Sequence, residues 1–318
     1  MKNLGNMLKQ AQEVQSRMAE MQERLSAMEV SGQSAAGMVQ ATLSGKGEVR
    51  KLKIDRALED LPMRWLRIAV LLVILATVAL GAWRSGTRAT EWKHTLHATV
   101  YPIAADDSPV TRAGVARLTA DDFAPVAEWL QGEVHRHGRS VLRPLAISVA
   151  SPLKALPPPF PAGAGPVAVG LWSLQLRFWA WRHDAAPGPR PDVRLFVLYH
   201  DPARTPQLDH SVGLRKGQIG IVKAFAGRDD GPRNAVVIAH ELLHTLGASD
   251  KYDPQSLAPV FPDGYAEPGR QPRHPQRLAE IMAGRMALSE GQLAMPEGLG
   301  QTLIGPRTAA EIGLLRAD

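Results

Sequence analysis

Residues Val236–Asp253 read VVIAHELLHTLGASDKYD, and this stretch decides how the long C-terminal part of the chain is interpreted. An apolar run leads directly into His240 and His244, which are four positions apart. Residues at this spacing share one face of a helix, so both imidazoles can reach the same ion. Glu241 projects beside them and is placed to take a proton from a water activated by that ion. The pattern predicts a helix that carries a Zn²⁺ site, with Glu241 as its general base.

The composition limits what can hold a metal. The 318 residues include no cysteine, which excludes disulfides and thiolate ligands and leaves histidine and carboxylate. Apolar residues make up 45% of the chain and charged residues 21%, as expected for a chain that can bury a globular core. The formal net charge of +6 is spread along the chain. It permits contact with nucleic acid or anionic lipid but demonstrates neither.

The residues after the second histidine supply candidates for a third ligand. Gly247 lies three positions beyond His244, where the chain must leave the helix sharply, and Asp250 lies three positions further. Asp250 is the first candidate and Glu280 the alternative. Less favoured carboxylates are Glu267 and Asp253. If Glu280 binds the metal, Asp250 is expected to brace its loop through hydrogen bonds to backbone amides.

The extended pattern HExxHxxGxxD resembles the metzincin group of zincin metallopeptidases, in which a glycine turn brings a third ligand round to the metal. That ligand is usually histidine in the group, so Asp250 departs from the common pattern. The segment AEIMAGRM at 279–286 resembles a Met-turn, with Met282 as its methionine. The resemblance covers about residues 230–290, and the domain 90–318 only by its order of elements. It implies an α/β (α+β) zincin-like fold that hydrolyses peptide bonds in protein or peptide substrates.

Hydrophobic patterning over 90–318 predicts a mixture of strands and helices. The strands are expected at 97–103, 145–149, 193–199 and 218–225, and the helices at 120–136, 171–181, 234–246 and near 309–316. Near the metal motif, Tyr252 and Tyr265 are candidates to donate a hydrogen bond to a developing oxyanion, although packing or loop roles are the favoured interpretation.

Residues 65–83 read WLRIAVLLVILATVALGAW. After Arg67, sixteen residues contain only Thr77 and Gly81 as breaks in an aliphatic run, and the stretch approaches the ~20 residues that cross a bilayer. Seven lysines and arginines precede the run from Lys46 onward, and two follow it closely. The run therefore predicts a single-pass protein in contact with the lipid bilayer, expected in a bacterial inner membrane, and the positive-inside rule sets its orientation. Its N-terminus is expected in the cytoplasm and its catalytic domain in the periplasm.

The N-terminal segment shows two kinds of pattern. Apolar residues from Leu4 to Met28 alternate spacings of three and four, which predicts a helix that pairs with a partner and a homodimer through residues 4–28. A break follows over Ser31–Gly37. Two strand-like runs then come at 38–43 and 49–54, on either side of a Gly-rich turn.

The segments MKNLGNMLKQAQEVQSRMAEMQ at 1–22 and AMEVSGQSAAGMVQATLSGKGEVRKLKID at 27–55 resemble the N-terminal half of the YbaB/EbfC nucleoid-associated protein family. That family consists of small dimeric DNA-binding proteins. The resemblance covers about residues 1–60, and the second half of the family, with its long C-terminal helix, is missing.

The charge of this segment bears on its partner. Residues 1–61 hold nine Lys and Arg against eight Asp and Glu, a net charge of only +1. Contact with DNA phosphates would therefore depend on one basic cluster, which suits anionic lipid head groups equally well. The cluster consists of Lys46, Arg50, Lys51, Lys53 and Arg56.

The sequence thus predicts three parts: a truncated helix-hairpin module at 1–61, a transmembrane helix at 65–83 and a metallopeptidase domain at 90–318. The main functional hypothesis is a membrane-anchored zinc-dependent metallopeptidase. The alternative is a membrane-tethered nucleoid-associated DNA-binding protein whose C-terminal domain is catalytically silent.

Overall fold

The chain divides into two compact units, Met1–Val78 and Ala79–Asp318. The computed structural model describes residues 27–34, 39–44, 49–54, 68, 71–72, 90–161, 163, 165–208, 211–214 and 217–315. The pairing helix predicted over 4–28 lies outside the described residues except at its last two positions, and so do Lys46 and Arg56.

The described part of the first unit contains a three-stranded antiparallel sheet in the order β1-β2-β3. Its strands are β1 (Glu29–Ser34), β2 (Val39–Ser44) and β3 (Val49–Ile54). The predicted hairpin of β2 and β3 is confirmed. The break predicted over Ser31–Gly37 is wrong in its first half, because β1 pairs with β2 from end to end. Strand formation depends more on a neighbouring strand than on intrinsic preference, so a Gly- and Ser-containing segment can still be extended.

The predicted single-pass inner-membrane arrangement is wrong. Among the residues that the structure describes, no helix is both long and apolar enough to cross a membrane. The longest described helix has 17 residues. At ~1.5 Å per residue it spans roughly 25 Å, short of the ~30 Å hydrocarbon core. Of the predicted span 65–83, only residues 68, 71 and 72 are described, and the remainder lies outside the described residues. The predicted orientation and periplasmic placement depended on this span and are corrected together with it.

The second unit is built on a five-stranded sheet in the order β5-β4-β6-β8-β7. Four strands are parallel, and the short edge strand β7 runs antiparallel to β8. The strands are β4 (Leu96–Ala104), β5 (Leu145–Val149), β6 (Val193–His200), β7 (Val212–Leu214) and β8 (Ile219–Phe225). The central strand β6 is almost continuously apolar, as expected for a strand that is covered on both faces.

Each α-helix in the described part of this unit carries a proline in its first turn, where the missing N–H removes no helical hydrogen bond. These helices are α1 (Pro109–Ala116), α2 (Ala124–Arg136), α3 (Pro166–Arg182), α4 (Gly231–Leu246) and α5 (Pro306–Glu311). Short 3₁₀ turns occur at Ala120–Phe123, Arg228–Asp230 and Leu299–Gln301.

The region after α4 is mostly loop with two small sheets. One is a parallel pair of β9 (Ala279–Glu280) and β12 (Thr302–Leu303), and the other an antiparallel pair of β10 (Met286–Ser289) and β11 (Gln292–Ala294). The β9–β12 pair brings residues near 280 beside those that lead into α5.

Two apolar clusters cover the two faces of the large sheet. Side chains of α1, α2 and α4 form the larger cluster with alternate residues of β6 such as Leu195 and Val197. Side chains of α3 form the smaller cluster with the intervening residues Phe196 and Leu198. The strand therefore alternates between the two clusters, as the pleat requires. The inner face of α4 is buried in the core, and this fixes the direction in which its histidines project.

Candidate metal site

Helix α4 holds His240 and His244 one turn apart, each mostly buried. The helix ends at Gly247, whose φ of 111° allows the sharp exit that the sequence predicts. The two ring orientations are fixed by backbone carbonyls. His240 Nδ1 lies 2.9 Å from the carbonyl oxygen of Ile281, and His244 Nδ1 lies 2.8 Å from that of Ala248. Donation from Nδ1 leaves Nε2 as the free acceptor, the arrangement that orients a metal-binding imidazole.

The candidate ligand atoms converge on one point. Asp250 Oδ1 lies 3.3 Å from His240 Nε2 and 3.2 Å from His244 Nε2, and the two Nε2 atoms are 3.0 Å apart. Ligands of a tetrahedral zinc ion with bonds of ~2.0–2.1 Å are separated by about 3.3–3.4 Å. The three atoms therefore fit three corners of such a tetrahedron, and the fourth corner is left for water or substrate. Within the described ranges, no other group of three His or acidic residues has this geometry.

The pKa shifts of the side chains in this group are consistent with a cation-binding site. Burial alone would lower the pKa of His240 and raise the pKa of Asp250. The neighbours outweigh burial: Asp250, the charge of Glu241 and the Ile281 carbonyl raise the pKa of His240, and the two histidines lower the pKa of Asp250 well below its usual range. Protonation of His240 and binding of a metal ion would therefore compete at this position.

Glu280, the alternative third ligand, does not join this group. Its fully buried carboxylate accepts hydrogen bonds from the Met282 and Ala283 amides at 2.7 and 3.1 Å. It accepts two more from the Gly305 amide at 3.1 Å and the Thr308 hydroxyl at 2.7 Å. Burial raises the pKa of Glu280, and these hydrogen bonds offset part of the rise. The carboxylate braces the segment around Met282 against the start of α5.

The two remaining candidate carboxylates accept hydrogen bonds from backbone amides of their own loops. Asp253 accepts hydrogen bonds from the Gln255 and Ser256 amides at 3.1 and 2.8 Å. Glu267 accepts one from the Arg277 amide at 3.2 Å. Neither belongs to the group formed by the histidines and Asp250.

Met282 lies in the core directly after the carbonyl that orients His240. Its side chain is fully buried, and its carbonyl accepts a 3.0 Å hydrogen bond from the Lys251 amide. The segment 279–286 therefore touches both the first histidine and the loop that carries Asp250. The assignment of Met282 to a Met-turn stays a prediction.

Sequence reasoning missed a polar cluster that anchors Asp250 on both sides. Lys251 is buried, and its Nζ lies 2.7 Å from the Ser249 carbonyl and 2.8 Å from Glu311 Oε2. Glu311 also accepts hydrogen bonds from the Ser249 amide and hydroxyl, both at 2.9 Å. The flanking residues of Asp250 are thus tied to α5, 60 positions away along the chain. No local pattern in the sequence signals a pairing at that distance.

The two candidate tyrosines lie in different surroundings in the structure. Burial raises the pKa of Tyr252, and the charges of Asp250 and Glu241 raise it further, so its phenol stays protonated beside the site. Tyr265 instead packs edge-to-face on Phe261, with ring centroids 5.4 Å apart. Tyr252 is therefore the one of the pair that lies near the candidate ligands.

Edge strand β7 passes very close to α4, the helix that carries His240 and His244. A Cβ added at Gly213 would lie 2.3 Å from the Cβ of His244 and 3.2 Å from the buried carboxylate of Glu241. Real Cβ atoms do not approach this closely, so only glycine lets β7 lie against α4 here.

Gly213→Ala is accordingly expected to lower zinc affinity by about tenfold, because overpacking of this kind costs ~1–3 kcal/mol and is relieved by moving β7 or His244. Titration with zinc in competition with a chromogenic chelator measures the change. Gly132→Ala is the control, since a Cβ on that exposed face of α2 meets nothing within 4 Å. Unchanged affinity and Tm in Gly213→Ala would show that the contact does not constrain the site.

In the first unit, the described members of the basic cluster lie on β3. Lys51 and Lys53 are exposed and two positions apart, so they project from the same face of this edge strand, whereas Arg50 lies at an irregularity in the pairing with β2. Lys51 lies opposite Thr42 and Lys53 opposite Gln40 on β2. The two lysines form a small positive surface on one face of the sheet.

Fold and site together define the second unit as a mixed α/β domain with a candidate His-His-Asp metal centre, joined to a separate small unit that carries a three-stranded sheet. Residues 1–73 of that first part match the YbaB/EbfC DNA-binding family, so the chain carries a domain of this nucleoid-associated family at its N-terminus.

Individual relatives agree with the family match. A nucleoid-associated protein of Rhodospirillum rubrum is 68% identical over 60 residues, and one of Paramagnetospirillum magneticum is 62% identical over 60 residues. A third, from Gluconacetobacter diazotrophicus, is 50% identical over 60 residues. Each alignment covers 19% of this chain and 56% of the relative. The chain therefore spans about half the length of the curated relatives it matches.

Proposed function

We propose that the second unit is a zinc-dependent peptidase with His240, His244 and Asp250 as its metal ligands. The observation that carries the proposal is the tetrahedral spacing of three ligand atoms, with a buried glutamate next to the first histidine. Zinc in this position would polarise a peptide carbonyl and lower the pKa of an attacking water toward ~7.

The side chains around the ion then have separate tasks. Glu241, which is not among the three ligand residues, takes the proton of the attacking water and passes it to the leaving amine. Tyr252, with a phenol that stays protonated, is placed near the site to donate a hydrogen bond to the developing oxyanion. The backbone carbonyls of Ile281 and Ala248 keep both imidazoles in the tautomer that zinc requires.

The test of this proposal is hydrolysis of an unstructured protein substrate by the full chain after loading with zinc. Activity should disappear when the metal is removed by chelation and return when zinc is added back. Hydrolysis that survives complete chelation would contradict a metal-dependent peptidase.

We also propose that the first unit binds DNA, and the family match favours this second function directly. The comparisons support the nucleoid-associated alternative better than the peptidase, because they concern residues 1–73, whereas the peptidase proposal stands on the geometry of the second unit. The exposed Lys51 and Lys53 are the described side chains best placed to contact phosphates. Self-association through residues 4–28 would present this surface twice.

Lys51→Ala/Lys53→Ala in the full chain is expected to weaken DNA binding and to reduce the slope of log K against log salt by about 2, since each neutralised phosphate contributes ~0.9. Fluorescence anisotropy with labelled duplex DNA at several salt concentrations measures both effects. The charge-matched control is Lys154→Ala/Arg182→Ala, two exposed cations of the second unit. An equal loss of slope in the control would show that DNA binding is not located on β3.

A further inference from the structure

Helix α3 is apolar on both of its faces. Its inner residues Trp172, Leu176 and Ala180 are buried in the smaller core cluster. Its outer face carries a row of large exposed apolar side chains, here called the α3 stripe. The stripe consists of Val167 (66% exposed), Leu171 (64%), Leu174 (61%), Phe178 (62%) and Trp181 (70%).

The spacing of the stripe is that of a helix-pairing seam. Successive members are four, three, four and three positions apart, the a and d pattern of a heptad repeat. The exposed neighbours Gly170 and Gln175 are small or polar, so the apolar row is narrow. A narrow seam packs into the groove of another helix, whereas burial against a sheet or a lipid surface favours a broader apolar face.

The exposed apolar area is large for a surface without a partner. Five side chains exposed to this degree present roughly 600 Å², at the upper end of the largest apolar patches on monomeric proteins. Phe160, which packs edge-to-face on Trp172 at 5.0 Å and is itself exposed, adds apolar surface beside the helix. The total approaches the ~800 Å² that each partner contributes to a standard interface.

We propose that the α3 stripe is the contact between two copies of this chain, paired antiparallel about a two-fold axis at Leu174. In that arrangement, the stripe is complementary to its own reverse. The smallest member, Val167, meets the largest, Trp181, of the other copy; Leu171 and Phe178 lie within one residue of register; and Leu174 meets itself. An isologous contact of this kind is the usual form of a homodimer.

Charge favours the same orientation. The charged residues of α3 are Arg177 and Arg182, and Arg182 is exposed at the C-terminal end of the helix. A parallel pair would place the two Arg182 guanidinium groups side by side. The antiparallel pair separates them by roughly the 25 Å length of the helix, which is beyond the ~8–10 Å range of unscreened interaction.

The absence of native cysteine allows a position-specific test in the full chain. Leu174→Cys, at the axis, should form an intermolecular disulfide under mild oxidation in most of the protein, because the two Cα atoms fall within the ~4.4–6.8 Å that a disulfide spans. Gln175→Cys, exposed but off the stripe, should cross-link at least tenfold less. Such a disulfide reports on α3 alone, whatever association the first unit contributes.

Orientation is tested by mixing two single variants. Val167→Cys and Trp181→Cys should cross-link efficiently with each other and poorly alone if the pair is antiparallel. Efficient cross-linking of each variant with itself would indicate a parallel pair and overturn the proposed arrangement. If Leu174→Cys cross-links no better than Gln175→Cys, the α3 stripe does not contact a second copy and the proposal is wrong. A monomeric protein whose stripe is shielded from a solvent probe would contradict it as well.

Discussion

The full chain with Glu241→Gln is expected to retain stoichiometric zinc and to hydrolyse peptides about 10²–10⁴-fold more slowly than the parent, the usual contribution of a general base. Glutamine keeps the shape of the side chain but offers no basic oxygen to accept a proton. Because Glu241 is not one of the three convergent ligands, the metal should remain bound and the melting temperature should be preserved.

The comparison that isolates this effect is Glu290→Gln, which removes an exposed carboxylate in the turn between β10 and β11 and should leave hydrolysis unchanged. Rates are measured with a quenched peptide, and zinc content by atomic emission on the same samples. A Glu241→Gln protein that hydrolyses as fast as the parent would exclude the proposed mechanism. Loss of zinc in that variant would instead place the carboxylate among the ligands.

Replacement of a proposed metal ligand is expected to weaken zinc binding itself, whereas Glu241→Gln is expected to affect only hydrolysis. His240→Ala, His244→Ala and Asp250→Ala should each reduce zinc affinity by more than about 100-fold, since even the partners that orient a ligand contribute 10–100-fold. Asp250→Asn, which keeps one oxygen but loses the charge, should be intermediate. Asp253→Ala is the matched control: the same residue type, three positions on, with its carboxylate committed to a local turn.

This experiment also decides between the two candidate third ligands. If Asp250→Ala retains zinc and Glu280→Gln loses it, the assignment of Asp250 is wrong. Zinc binding should weaken as the pH falls through the raised pKa of His240, because the proton on this imidazole competes with the metal. Affinity that is independent of pH in this window would show that His240 does not bind the ion.

The elements of the fold that the sequence predicts well are those with strong internal patterns. The apolar runs of β5, β6 and β8 identify these strands nearly to the residue, since buried parallel strands are marked by composition alone. The missed elements depend on partners. Strand β7 has three residues, and β9 and β12 have two each, so pairing rather than local preference makes them extended. Helix α1 is too short to show a clear period.

The candidate site divides in the same way. The histidines and Glu241 follow from spacing on one helix, and Gly247 follows from the need for a left-handed residue at its end. The choice among carboxylates does not follow from spacing, because Asp250 and Glu280 both lie in loops of plausible length. The structure separates the two by their other partners: Glu280 accepts four hydrogen bonds around Met282 and α5, whereas Asp250 faces the imidazoles, and this difference favours Asp250 in the proposed site.

The tie between the Asp250 loop and α5 has a consequence for biosynthesis. Translation proceeds from the N-terminus, so α5 leaves the ribosome after every other element that contacts the site. Until Glu311 has emerged, Lys251 lacks its carboxylate partner, and until Gly305 and Thr308 have emerged, half of the hydrogen bonds to Glu280 cannot form. The nascent chain can therefore fold its parallel sheet and display both histidines while the loop that carries Asp250 still lacks these contacts. If the proposed site binds zinc, tight binding would therefore wait until α5 has emerged, and loss of α5 would be expected to weaken it.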